Sequence, residues 1–161
     1  MDSLSGVANR RYFEESLAAA FARSRRQGTA LALLCLDIDH FKAINDNHGH
    51  PVGDEVIIAF ARSLQSCVRG DDLVARLGGD EFVLLIENPS PESGENIARK
   101  LLAIMQEPVI VNGLSLNVSV SIGVAYSANT QSTKALMDLA DQALYAAKAA
   151  GRSTYRTANS D

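Results

Sequence analysis

The apolar positions of the chain change period from one stretch to the next. Phe13, Leu17, Ala20 and Phe21 recur on one helical face and predict a first helix over about Arg10–Arg26. Thr29–Leu36 is a continuous apolar run ending at Asp37, the pattern of a strand buried on both faces. Ile57, Phe60, Ala61, Leu64 and Val68 return to helical spacing. Two short apolar runs, Leu73–Leu77 and Phe82–Ile86, flank Gly-Gly-Asp-Glu and predict a hairpin. Ile97, Leu101, Ile104 and Met105 mark another helix. Leu114, Leu116, Val118, Val120, Ile122, Val124 and Tyr126 alternate strictly, which predicts one long strand with a single buried face. Leu136, Leu139, Ala140, Ala143, Leu144 and Ala147 form a last helical stripe closed by Gly151.

Without the first and last helices the order is strand, helix, strand, strand, helix, strand. That is the α+β, ferredoxin-like βαββαβ pattern, here with extra N- and C-terminal helices. In this topology the third strand lies antiparallel beside the first. The end of strand one at Asp37 and the hairpin tip at Asp80 and Glu81 therefore share one sheet edge. Asn88–Gly94 reads as a loop, and the pattern gives a domain over 1–157 with a frayed tail at 158–161.

Composition narrows the classes. A length of 161 residues with 47% hydrophobic positions suits one globular domain and excludes wholesale disorder. The longest apolar run, Ala30–Leu36, is far short of a membrane span. The opening MDSLSGVANRR has no apolar core of a secretory signal, so a cytoplasmic location is expected. The net charge of −4 argues against a nucleic-acid polymer as partner, while a small phosphorylated ligand served by local cations and a metal stays compatible. Cys35 and Cys67 form no CxxC pair and read as buried thiols in a reducing compartment.

At the predicted edge Asp37, Asp39, Asp80 and Glu81 repel one another unless a cation joins them or their pKa values rise. Oxygen ligands without a Cys or His cluster favour Mg²⁺ or Mn²⁺ over zinc. A solvated acidic turn is the competing reading. Gly78 and Gly79 tilt the balance, because they permit a positive-φ turn and close approach of a phosphate. The segment from Asp39 to Asp46 follows the buried strand, so its amides could cradle phosphate at a short helix N-terminus. Lys42 could add charge there, although such turns are also common on surfaces.

These residues closely resemble the GGDEF domain, the catalytic domain of bacterial diguanylate cyclases. The name motif stands intact as Gly78-Gly79-Asp80-Glu81-Phe82 after Arg76-Leu77. The opening Asp2–Arg10 resembles the family's D-x-L-T-G-L-x-N-R, with Ser5 and Val7 in place of Thr and Leu. The blocks Leu36–Ile57, Val120–Ala125 and Ala143–Arg152 also match, in order, across nearly the whole chain.

The resemblance implies a nucleotidyl-cyclase-like palm that condenses two GTP into cyclic di-GMP and two pyrophosphates across a homodimer. It assigns Mg²⁺ (or Mn²⁺) to Asp37, the Ile38 carbonyl, Asp80 and Glu81, with Asp80 and Glu81 as the catalytic acids. Phe41, Lys42, Gly78 and Gly79 would contact substrate, and Asn45, His50 and Asp54 would take the nucleoside. A carboxylate such as Asp54 suits guanine, whose N1–H and N2 amino group are adjacent donors that adenine lacks. As a helix first-turn residue Asp54 would also be favoured by the helix dipole. Lys148 and Arg152, four apart on one helical face, would hold the γ-phosphate. Arg69 and Asp72 match the family's RxxD inhibitory site for cyclic di-GMP. Pro51 follows His50 within the guanine-contact loop. Sensor, receiver or phosphodiesterase domains are the expected neighbours. The alternatives are a non-catalytic GTP- or cyclic di-GMP-binding regulatory module, and a generic ferredoxin-like interaction domain.

Overall fold

A computed structural model describes residues 1–158. Its elements in chain order are α1 (Arg10–Gln27), β1 (Leu31–Ile38), α2 (Phe41–His48), α3 (His50–Ser66), β2 (Leu73–Gly78) and β3 (Glu81–Glu87). There follow α4 (Ser93–Ile104), β4 (Val109–Val111), β5 (Leu114–Leu116), β6 (Val120–Tyr126), α5 (Thr133–Ala149) and β7 (Tyr155–Thr157). The main sheet runs β2-β3-β1-β6-β7, so the ferredoxin-like order is present with β7 added in parallel beside β6.

β1 is the centre of the molecule because every residue in it is buried. Its alternate side chains feed two cores. Leu31, Leu33 and Cys35 pack with Phe13 and Leu17 of α1 and Leu136 and Ala140 of α5. Ala32, Leu34, Leu36 and Ile38 pack on the opposite face with Phe60 of α3 and Leu101 of α4. Full burial of one such leucine stabilises by about 1.5–3 kcal/mol, so this strand tolerates little change.

The helix ends follow local chemistry. Asn9 caps α1 by accepting from Tyr12 N–H at 2.9 Å, and Gly28 closes it in the left-handed conformation with φ 67°. Ser132 caps α5 by accepting from Ala135 N–H at 3.0 Å. α5 lies unusually close to β6. A Cβ on Gly123 would sit 2.3 Å from both Ala140 O and Leu144 N, so only glycine lets the helix backbone approach. Gly123 pairs with Cys35 across β1–β6, and the close crossing carries the end of α5 to the acidic edge.

One sequence expectation needs correction, and one element had no expectation. The long alternating strand is broken: Leu114–Leu116 pairs with β4 as a separate two-stranded ribbon, and only Val120–Tyr126 joins the main sheet, buried on both faces nearly throughout. The local signal for this was Asn112-Gly113, whose φ values of 50° and 82° make the tight hairpin turn that Asn-Gly favours. β7 was not foreseen, since three residues leave no readable periodicity. Thr157 ends β7, and Ala158, the first residue of the tail expected over 158–161, donates its N–H to Val124 O at 2.8 Å. The remainder of that expectation, 159–161, lies outside the described residues.

Candidate active site

The edge forms as the topology requires. Asp37 stands directly opposite Glu81 in the β1–β3 register. The turn between β2 and β3 uses Gly78 at φ 151° and Gly79 at φ 51°, with a register shift between Arg76 and Gly78. Side chains rarely adopt such backbone, and a Cβ there would be strained. Arg76 pins this tip: its Nε donates to Gly79 O at 2.9 Å and its Nη1 to both Asp2 oxygens at 3.3 Å. Burial alone would raise the Asp2 carboxyl, but donors from Ser5 and the Arg76 guanidinium outweigh it and hold the group below its ordinary range. Sequence reasoning gave Arg76 and Asp2 no role. Their separation along the chain hides an ion pair that only the fold creates.

The acids at the edge are under electrostatic pressure. Burial, then the charge of Asp37, raises Asp80 above the ordinary carboxylate range. Glu81 is raised by burial first and then by Asp37 and Asp80. Lys148 Nζ pairs with Asp37 Oδ2, while Asp37 Oδ1 is buried with no hydrogen-bond partner. Asp37, Glu81 and Lys148 line a cavity of about 360 Å³ together with Cys35 of β1 and Asp141 and Tyr145 of α5. Burial and nearby carboxylates, Asp141 foremost, push the Cys35 thiol well up.

A cation would find hard oxygen donors here: the orphaned Asp37 oxygen, the adjacent Ile38 carbonyl and the Asp80 or Glu81 carboxylate. Among the described residues no three acidic, His or Cys side chains close around one point. The donor set suits Mg²⁺, which needs few protein ligands when substrate phosphates complete its shell.

The structure separates other predicted residues. Asp39 does not join the acidic edge. It is buried and its carboxylate accepts from Ser119 Oγ, Ser121 Oγ and Ser153 N–H, so neutral donors replace the cation that repulsion would have demanded. Arg152 does not share a helical face with Lys148, because α5 ends at Ala149 and Arg152 lies in left-handed backbone at φ 65°.

Asn45 and Asp54 belong to a second group on α2 and α3, outside the cavity. Asn45 lies over Gly53, where a Cβ would meet its Oδ1 at 1.8 Å, and that oxygen is buried without a partner. Asp54 is exposed and is the fifth residue of α3, not a first-turn residue. His50 opens α3 and is exposed, and Pro51 occupies the helix's first turn rather than a loop, a position that suits its missing N–H. Phe41 and Lys42 open α2, whose N-terminus has no side-chain cap, and Lys42 is exposed.

Arg69 and Asp72 form their own turn just before β2, at the end of that strand away from Gly78. Asp72 Oδ2 accepts from Arg69 N–H at 2.9 Å, and Asp72 N–H donates to Arg69 O at 3.0 Å. Both residues line a groove of about 470 Å³ beside Met1, Tyr12 and Val68.

A family model described as diguanylate cyclase, GGDEF domain, matches residues 1–154. The chain belongs to this family. It is 41% identical over 152 residues to the diguanylate cyclase DgcP of Pseudomonas aeruginosa, covering 94% of this chain and 23% of that protein. Among solved structures, the GGDEF domain of TpbB (YfiN) from P. aeruginosa superposes with a TM-score of 0.94 at 38% identity, covering 99% of this chain and 94% of that one. The GGDEF domain of DgcB from Caulobacter crescentus, solved in complex with c-di-GMP, gives a TM-score of 0.92 at 30% identity, with 98% and 92% covered. The chain spans about a fifth to a half of the length of the curated relatives it matches. No helix among the described residues is long and apolar enough to cross a membrane.

Proposed function

We propose that this GGDEF domain condenses two GTP into cyclic di-GMP and two pyrophosphates, acting from the cytoplasm as the 1–157 catalytic unit of a larger signalling protein. The observation that carries the reading is the pairing of Asp37 with Glu81 at a glycine turn, with one buried Asp37 oxygen left without a partner. An orphaned buried carboxylate oxygen costs stability, and such costs concentrate where a ligand completes the site.

Asp37, the Ile38 carbonyl, Asp80 and Glu81 would hold Mg²⁺ (or Mn²⁺). When bound, such an ion would supply neutralisation of phosphate charge and would ease ionisation of a hydroxyl. The chain's own residues do the rest. Asp80 and Glu81, held above the ordinary carboxylate range, are suited to take the 3′-hydroxyl proton. The 3′-oxygen of each GTP attacks the α-phosphorus of the other, and pyrophosphate leaves with the bonding electrons. Asn45 Oδ1 and the Asp54 carboxylate accept from guanine N2 and N1–H, with His50 beside the nucleoside. Lys148 releases Asp37 to meet the γ-phosphate with Arg152, while Phe41, Lys42, Gly78 and Gly79 approach the phosphates through backbone or charge. Each domain holds one nucleotide, so a homodimer is required. Arg69 and Asp72 bind the product as inhibitor, a reading supported by the c-di-GMP complex of the DgcB domain.

The test is chromatographic product analysis after incubation with GTP and Mg²⁺ across a protein-concentration series, once bound nucleotide has been stripped. Cyclic di-GMP rising more steeply than linearly with protein is expected, with no product from ATP. GTP binding without product at any concentration would replace this reading with a regulatory binding module.

A further inference from the structure

Asp39 is 6% exposed, and no cation pairs with it among the described residues. Ser121 Oγ donates to its Oδ1 at 2.6 Å, while Ser119 Oγ and Ser153 N–H donate to its Oδ2 at 2.6 and 2.9 Å. Its own N–H donates to Ser119 O at 2.9 Å. These partners come from the connection before β6, from β6 itself and from the turn after α5. A buried carboxylate with several good donors is held in one geometry, because any departure leaves donors unpaired.

What Asp39 joins is informative. Asp37 and Ile38 precede it on β1, and Phe41 and Lys42 follow it at the start of α2. Ser153 follows Arg152. The turn after α5 passes through Gly151, Arg152 and Ser153 at φ 110°, 65° and 49°, two of which carry side chains. Such backbone persists only when its surroundings fix it. Arg152 N–H donates to Ala147 O at 3.1 Å and Ile122 N–H to Thr154 O at 3.0 Å, which hold the two ends of the turn. Between them, Ser153 N–H is held by the Asp39 carboxylate.

We propose that Asp39 is a positioning residue that locks the start of α2 and the Arg152 turn into one triphosphate-binding unit. The proposal rests on the reading of the domain as a GTP-condensing enzyme. Asp39 touches no substrate; it fixes two arms relative to β1, so that neither must be ordered when the triphosphate arrives. Further along α2, Asn45 has a second brace of its own, its packing over Gly53 of α3. Loss of Asp39 therefore falls mainly on triphosphate affinity and much less on the base.

The experiment compares calorimetric binding of α,β-methylene GTP and of guanosine, with Mg²⁺ present. Asp39→Ala is expected to weaken the triphosphate analogue about tenfold, equivalent to about 1.4 kcal/mol, and guanosine less than about twofold. Asp39→Asn should recover most of the loss, since its carbonyl can keep the Ser119 and Ser153 donors while the Ser121 hydroxyl turns to accept from the amide. Amide exchange over 151–154 should accelerate in Asp39→Ala and not in Asp39→Asn. Equal loss for both ligands, or no loss, overturns the proposal. If Asp39→Ala does not fold, the Ser119→Ala/Ser121→Ala double variant decides: a selective loss of about threefold supports the coupling, and an unselective or absent one sinks it. Wild-type protein that binds no triphosphate analogue defeats the GTP reading itself, and this proposal with it.

Discussion

Asp37 and Asp39 lie two residues apart at the end of one strand and are both largely buried, yet their surroundings are opposite. Asp39 has a donor for each oxygen and none of them is charged. Asp37 faces Glu81, leans on Lys148 and keeps one oxygen unpaired. The satisfied carboxylate stabilises the fold. The unsatisfied one costs stability and is available for chemistry. Buried charge alone does not mark a site; incomplete pairing does.

The largest expected effect comes from breaking the unsatisfied side. Asp80→Ala should lower turnover by at least about a hundredfold while leaving the melting temperature near that of the wild type, read by product formation and thermal denaturation in parallel. Near-normal turnover in that variant would remove Asp80 from the chemistry.

Breaking the satisfied side should fall on stability as well as on triphosphate affinity. Asp39→Ala leaves three donors to find new partners and should cost about 2–4 kcal/mol by urea denaturation. A cost below about 0.5 kcal/mol would show that water replaces the carboxylate without penalty.

Lys148→Met removes the cation next to Asp37. Because the lysine side chain is 35% exposed, the expected stability loss is modest, about 1 kcal/mol or less. The larger consequence should be a KM for GTP raised about tenfold with kcat less affected, the pattern of lost binding before reaction. A drop in kcat alone would place Lys148 in the chemical step instead.

The smallest effect sharpens the contrast. Glu81 is raised in the folded protein, so its ionisation opposes folding. The sign follows from linkage: the stability it contributes is fully present below its unfolded value, 4.5, and is lost as pH rises through its higher folded value. Glu81→Gln should therefore raise the melting temperature at neutral pH by about one to two °C, with the gain vanishing in acid. An equal gain at pH 4 and pH 7 would mean packing, not charge, is responsible.

Much of this was legible in the sequence because it rests on local rules. Period and length marked the helices, the buried central strand and the hairpin, and the element order then brought Asp37 beside Glu81. The Gly-Gly turn carried its own chemistry. Where elements are short, or a strand changes partner, period fails: β7 has three residues, and Ser115 and Ser121 alternate with apolar neighbours identically although their strands join different sheets.

Apolar period and element order by themselves determined the fold class and the meeting of Asp37 with the Asp80–Glu81 turn, and the motif blocks carried the family, because all of these are written locally in the chain. The tertiary structure decided which acid is free and which is tied. Ser119, Ser121 and Ser153 reach Asp39 from positions eighty or more residues away, Lys148 reaches Asp37 from 111 away, and Arg152 leaves the helical face that its spacing suggested. Pairing of a buried charge depends on donors delivered through space, and no local pattern encodes their arrival.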